Sequence, residues 1–143
     1  SKGVVGERCN VACADVRVHQ GDVVSVGAID VEVRETPGHT DGCLTFVVHD
    51  ARLAFTGDAL LVRGTGRTDF QQGDSRALYR SIHEQIFTLP DDYLLYPGHD
   101  YKGNTVTSVA EERAFNPRVG GTRTVDEFVI IMRELKLAYP KQM

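Results

Sequence analysis

No apolar run in this 143-residue sequence approaches the roughly 20 residues of a membrane-spanning helix; the longest are stretches such as Phe128-Val129-Ile130-Ile131-Met132. No secretory signal pattern is visible either. Cysteine is scarce: Cys9, Cys13 and Cys43 are an odd number for a disulfide framework, and the Cys9/Cys13 spacing is not C-x-x-C. A reducing, cytoplasmic type of compartment is therefore expected. Neither sign of charge forms long blocks, since 16 basic and 20 acidic residues are interspersed for a net charge of −4, so no footprint for nucleic acid or an anionic membrane is present. Internal repeats, low-complexity tracts and interdomain linkers are absent. So are H-x-H and H-E-x-x-H clusters: His83-Glu84 begins the latter, but position 87 is Phe87. The length and the 41% hydrophobic content suit one domain, or a piece of one.

What the chain does contain is three short segments, each placing a candidate metal ligand just past an extended apolar run. They are Thr36-Pro37-Gly38-His39, Phe55-Thr56-Gly57-Asp58 and Tyr96-Pro97-Gly98-His99-Asp100. Two histidines and a carboxylate suit Zn or Fe, and loops at strand ends can aim them at one point. A lone histidine in a Gly-rich turn is more often a surface or capping residue, and Thr-Gly-Asp is also an ordinary turn sequence. The same Pro-Gly-His device occurs twice, however, and a Pro-Gly bend directly after a strand holds an imidazole away from the sheet with little freedom.

Patterning predicts an α/β order: strands first, then helix, strand, helix, helix. Alternating apolar positions from Val16 to Val33, broken at Gly21-Asp22 and Gly27-Ala28, predict β-hairpins. Leu44 to Val48 and Leu53 to Phe55 form a second pair about a turn at His49-Asp50-Ala51-Arg52. Leu60 to Gly73, with its glycines and polar residues, reads as a long functional loop without regular structure. Asp74 or Ser75 caps a helix carrying Leu78, Ile82 and Ile86 and ending before Pro90. Tyr93 to Tyr96 is a strand, and Ser108-x-x-Glu111 and Thr124-x-x-Glu127 are capping boxes that open two further helices. In the last of these, Phe128, Ile131, Met132 and Leu135 mark one apolar face.

Among the other polar residues, His19 and His49 fall at hairpin turns and His83 on the polar-to-intermediate side of its helix. Arg63 reads as a solvated loop charge. Arg67 differs, because Gly64-Thr65-Gly66 lets the backbone bring its guanidinium near a site that Asp58 helps form, where its fork suits a substrate carboxylate. Gly64-x-Gly66 is not a dinucleotide fingerprint, for the third glycine and the βαβ context are missing. Cys43, at the head of Cys43-Leu44-Thr45-Phe46-Val47-Val48, is expected in the core as a small apolar residue.

From about Ala14 to Tyr139 the sequence resembles the metallo-β-lactamase superfamily, and within it the glutathione-dependent branch of glyoxalase II and the persulfide dioxygenases. The three strand-end segments resemble motifs shared across that branch. The stretch from Gly57 through Asp58, Gly64-Thr65-Gly66-Arg67 and Thr68-Asp69-Phe70-Gln71-Gln72-Gly73 is similar to the dioxygenase version of the loop after the metal aspartate. Ile86-Phe87-Thr88-Leu89-Pro90, His99-Asp100-Tyr101, Glu111-Glu112-Arg113 and Asn116-Pro117-Arg118 also resemble the dioxygenases.

The resemblance implies an αββα sandwich, of which residues 1–143 would be the C-terminal portion, lacking the N-terminal half. It implies oxidation of glutathione persulfide by O₂ to sulfite and glutathione, within hydrogen sulfide detoxification, at one Fe(II). His39 and Asp58 would be two of the three protein ligands. His99, a ligand in dinuclear relatives, would instead orient groups beside the metal as a catalytic residue. Arg67, Tyr101 and Leu89 would bind the tripeptide. The remaining ligand should come from a Thr-His-x-His-x-Asp-His segment upstream of Ser1, so the N-terminal half of the domain is an expected partner; Ser1 to Asn10 reads as a polar loop suited to the junction. The chain would then be a split or truncated half, or a short variant without catalysis. A homodimer, a rhodanese partner and, in a eukaryote, the mitochondrial matrix are further expectations. Two alternatives stand beside this reading: a glyoxalase II-type thioester hydrolase with two metals, and a non-catalytic interaction module of the same fold.

Overall fold

The first strands depart from the sequence reading. In a computed structural model, which describes residues 4–9, 15–69, 73–99 and 103–135, Val4–Gly6 (β1) pairs in parallel with Val16–Val18 (β2) as a separate ribbon. The segment expected to be a loop as far as Asn10 thus contains a strand, three residues long and too short to show alternation. Val23–Val26 (β3) and Ile29–Glu35 (β4) form an antiparallel hairpin, as their alternation predicts. The turn needs Gly27, whose φ is +63°. Leu44–Val48 (β5) and Leu53–Gly57 (β6) form the second antiparallel pair, around a 3₁₀ turn at His49–Ala51.

The stretch after Asp58 is more ordered than its composition suggests. Leu60–Leu61 (β7) and Gly64–Thr65 (β8) close a minimal hairpin, with Arg63 in the left-handed region at φ +56°. Two-residue strands leave no periodic signal; Leu60, Gly64 and Thr65 are buried. Ser75–Ser81 (α1) follows, capped by the Asp74 carboxylate, which accepts the Arg76 and Ala77 amides at 2.9 and 3.2 Å. Its last turns widen into a π-helical segment, Ile82–Ile86. Asp74→Ala is expected to cost about 1 kcal/mol by losing this cap, measurable as a lower urea midpoint with an unchanged slope.

Leu94–Pro97 (β9), Thr107–Ser108 (β10), Val109–Phe115 (α2) and Val125–Glu134 (α3) complete the described chain. Thr124 with Glu127 forms the full capping box on α3, as its spacing predicts; Ser108 caps α2 by accepting the Glu111 amide, but the reciprocal half of the expected box does not form, the Glu111 carboxylate accepting the Thr107 hydroxyl instead. No helix among the described residues is long and apolar enough to cross a membrane.

Six strands make one mixed sheet in the order β10-β9-β6-β5-β4-β3, antiparallel except for the parallel pair β6/β9. Parallel neighbours require a crossover, and β7, β8 and α1 provide it. Strands β4, β6 and β9 therefore all run the same way, so the segments that follow them emerge along one edge. On one face Val47, Ala54 and Leu95 pack with Leu78, Ile82, Ile86 and Phe128 in a continuous core. On the other, Phe46, Phe55 and Tyr96 stand abreast in register. Phe55 is 47% exposed and Leu94 42%. One helical layer and one sheet layer are thus in place; the second face of the sheet is apolar and exposed around Phe55 and Leu94, whereas Val33, in register with Phe46 on the same face, is fully buried.

Candidate metal centre

The shared edge brings the three turn segments together. After β4, Pro37 and Gly38 bend the chain, and α1 locks the bend: the Ser81 hydroxyl donates to the Pro37 carbonyl at 2.7 Å, and the Asp74 amide to the Gly38 carbonyl at 2.7 Å. Gly38 has φ +138°, and a Cβ there would lie 2.3 Å from the Leu78 side chain, so only glycine fits against the helix. His39 therefore leaves a rigid turn. After β6, Gly57 (φ +55°) turns the chain to Asp58, and the Thr56 hydroxyl closes the turn onto the Leu60 carbonyl at 2.8 Å. After β9, the Gly98 amide donates to the Gly57 carbonyl at 2.7 Å, so His99 is tied to the Asp58 turn.

The hydrogen bonds fix the tautomers. A carbonyl oxygen only accepts, so the 2.7 Å contact between His39 Nδ1 and the Arg67 carbonyl requires Nδ1–H and leaves the Nε2 lone pair for a metal. His99 Nδ1–H likewise donates to Asp58 Oδ1 at 2.6 Å. The other carboxylate oxygen, Oδ2, faces His39 Nε2 at 3.7 Å. Two donors about 2.1 Å from one ion stand ~3.0–3.4 Å apart in octahedral or tetrahedral geometry, so a shared ion needs only a small closure. His39 and Asp58 side chains are 21% and 26% exposed, reachable yet largely enclosed. The donor set fits a metal, although among the described residues no cluster of three or more candidate ligands forms.

Gly66 sets the floor of the site. A Cβ there would fall 2.0 Å from the Asp58 carbonyl and 2.8 Å from the His39 ring. Arg67, at 16% side-chain exposure, forks onto Asp69 through Nε and Nη2 at 2.7 and 2.8 Å. The Arg67 hydrogen bond holds the Asp69 carboxyl below its ordinary range.

Three expectations need correction. Leu89 is 3% exposed within the core, where it offers no surface to a ligand. Arg63 stays 39% exposed but is more than a solvated loop charge, because its guanidinium and backbone amide both meet the carboxylate of Glu112. Cys43 is half-buried rather than in the core, with Sγ 3.0 Å from the Thr40 hydroxyl. Tyr101, expected beside the substrate, lies outside the described residues, as do Asp100, Phe70 and Cys13. His83 stacks on Tyr79 at 4.2 Å and contacts the Val119 carbonyl at 3.0 Å; burial pushes its imidazole down.

Residues 14–99 match the metallo-beta-lactamase superfamily. The chain belongs to that superfamily. Among its relatives within the metallo-beta-lactamase superfamily, the human mitochondrial persulfide dioxygenase ETHE1 is 54% identical over 136 residues, covering 95% of this chain and 53% of that protein. The crystal structure of ETHE1 from Myxococcus xanthus superposes with a TM-score of 0.91 at 52% identity, covering 96% of this chain and 60% of that one. A probable metallo-hydrolase of Burkholderia pseudomallei is 40% identical and covers 80% of this chain. The chain spans about half the length of these curated relatives. The fold is accordingly the metallo-beta-lactamase fold, with its mixed sheet and helices, represented here by a fragment of the full domain. Membership implies a metal site, which agrees with the convergence of His39 and Asp58.

Glu112, Asn116 and Arg118 have no role that the sequence assigns. Nothing in their spacing shows that they reach back to the loop after Asp58.

Proposed function

We propose that the complete protein is a persulfide dioxygenase that converts glutathione persulfide, O₂ and water to sulfite and glutathione, with this chain as the C-terminal portion of its catalytic domain. The observation that carries this reading is the 54% identity to the human persulfide dioxygenase across 95% of the chain, the candidate centre included. The same relative supports a mitochondrial matrix location in a eukaryotic source.

In this reading His39 through Nε2 and Asp58 through Oδ2 hold one Fe(II), and the third ligand comes from the N-terminal half of the domain. Iron bound there would supply a redox-active centre at which a sulfur anion and O₂ could react. His99 keeps Asp58 Oδ1 occupied and so decides which carboxylate oxygen is presented. Arg67 meets a carboxylate of the glutathione moiety, in exchange for part of its fork onto Asp69. The open apolar face around Phe55, Tyr96 and Leu94 receives the second layer of the sandwich, each large side chain so covered contributing about 1.5–3 kcal/mol.

Iron-reconstituted full protein should bind one metal per domain, consume O₂ with glutathione persulfide and release sulfite. Two metals per domain, with hydrolysis of a hydroxyacylglutathione thioester and no O₂ uptake, would instead identify the hydrolase.

A further inference from the structure

Glu112 is completely buried, the only fully buried carboxylate among the described residues. Burying a carboxylate costs several kcal/mol unless its lone pairs are met, and here they are. Oε1 accepts the Arg63 amide at 2.6 Å and Asn116 Nδ2 at 3.3 Å; Oε2 accepts the Arg63 guanidinium and the Thr107 hydroxyl, the latter at 3.1 Å. A well-packed apolar residue would stabilise such a position equally well. A charge retained there calls for another role, and its partners supply one.

The hairpin β7/β8 has two residues per strand, and an isolated ribbon of that size does not hold its own shape. It is gripped from α2 and the turn after it, residue by residue. Glu112 takes the amide of Arg63, which is held at φ +56°. Asn116 Nδ2 donates to the Gly64 carbonyl at 3.1 Å, and Arg118 Nη1 to the Thr65 carbonyl at 2.8 Å. Asn116 is fixed in turn, its Oδ1 accepting the Arg118 and Val119 amides at 3.0 and 3.2 Å. The next residue, Gly66, lies against the Asp58 carbonyl and the His39 ring, and the one after it, Arg67, provides the carbonyl that holds His39 Nδ1–H.

We propose that Glu112 is a positioning residue of the metal centre: with Asn116 and Arg118 it clamps the backbone of residues 63–65, and so fixes the Arg67 carbonyl that sets the tautomer and aim of His39. The inference rests on the metal-site reading of His39 and Asp58, and deepens it.

The test is Glu112→Gln in the full protein, which keeps the shape and removes the charge. Two readouts are expected: Co(II) affinity, measured by chelator competition, falls by about 10–100-fold, the range for groups that orient a ligand; and ¹⁵N spectra of the metal-free protein show His39 gaining the Nε2–H tautomer. Arg118→Met releases the Thr65 carbonyl without stranding a buried carboxylate, gives a smaller change in the same sense, and decides the matter if Glu112→Gln does not fold. Wild-type affinity with a pure Nδ1–H tautomer overturns the proposal. A loss of affinity with an unchanged tautomer also overturns it, because that marks general destabilisation. His39→Ala separates the two levels: Co(II) binding as in the wild type would refute the metal site itself.

Discussion

Asp58→Asn in the full protein is expected to abolish metal retention while leaving the fold standing. The two carboxylate oxygens have different partners. His99 Nδ1–H donates to Oδ1 at 2.6 Å, and Oδ2 faces His39 Nε2 at 3.7 Å. An asparagine has one acceptor oxygen, which His99 claims, so the NH₂ group turns toward His39 Nε2, where it cannot coordinate. If Asp58 is the ligand proposed above, losing it outright exceeds the loss of an orienting partner, so affinity should fall by more than ~100-fold, and with it the proposed O₂ consumption. Asp58 is a partly exposed turn residue, so stability should change by less than about 1 kcal/mol. Equilibrium dialysis and a urea melt of the metal-free protein check the two halves of this expectation.

The second large effect separates two glycines that look equivalent in Gly64-Thr65-Gly66. Neither has a positive φ, so backbone strain is not at issue. A Cβ on Gly66 would meet the Asp58 carbonyl at 2.0 Å and the His39 ring at 2.8 Å. A Cβ on Gly64 meets nothing closer than 3.9 Å. Gly66→Ala must push the loop or the imidazole aside, costing about 1–3 kcal/mol in overpacking. The resulting misplacement of a ligand by about an ångström should lower activity ~100-fold. Gly64→Ala should be nearly silent in both thermal melting and turnover. Equal effects at the two positions would refute the close approach of this loop to the ligands.

Much of the scaffold was legible because its signals are local. Alternation marked β3 and β4, and the cap spacings marked α2 and α3. The pair of Pro-Gly-His turns marked the candidate site, since the same bend directly after a strand occurs twice, although only Gly38 of the two glycines takes a positive φ. That all three turns meet on one edge follows from the directions of β4, β6 and β9, which no local pattern encodes. The short hairpin at residues 60–65 was missed because two-residue strands carry no period and are held by side chains some fifty positions later, at Glu112, Asn116 and Arg118. The same distance hid the partner of Arg63. Leu89 was misplaced because its role came from resemblance, whereas burial depends on how the segment after the π-helical turn folds into the core.

His39 and Asp58 are proposed to hold one ion between them, with His99 off it. Anomalous diffraction from crystals of the iron-loaded full protein tests this most directly. A single iron peak is expected within about 2.0–2.2 Å of His39 Nε2 and Asp58 Oδ2, with His99 Nδ1 still on Asp58 Oδ1. Two metal peaks, or one bonded to His99, would contradict it.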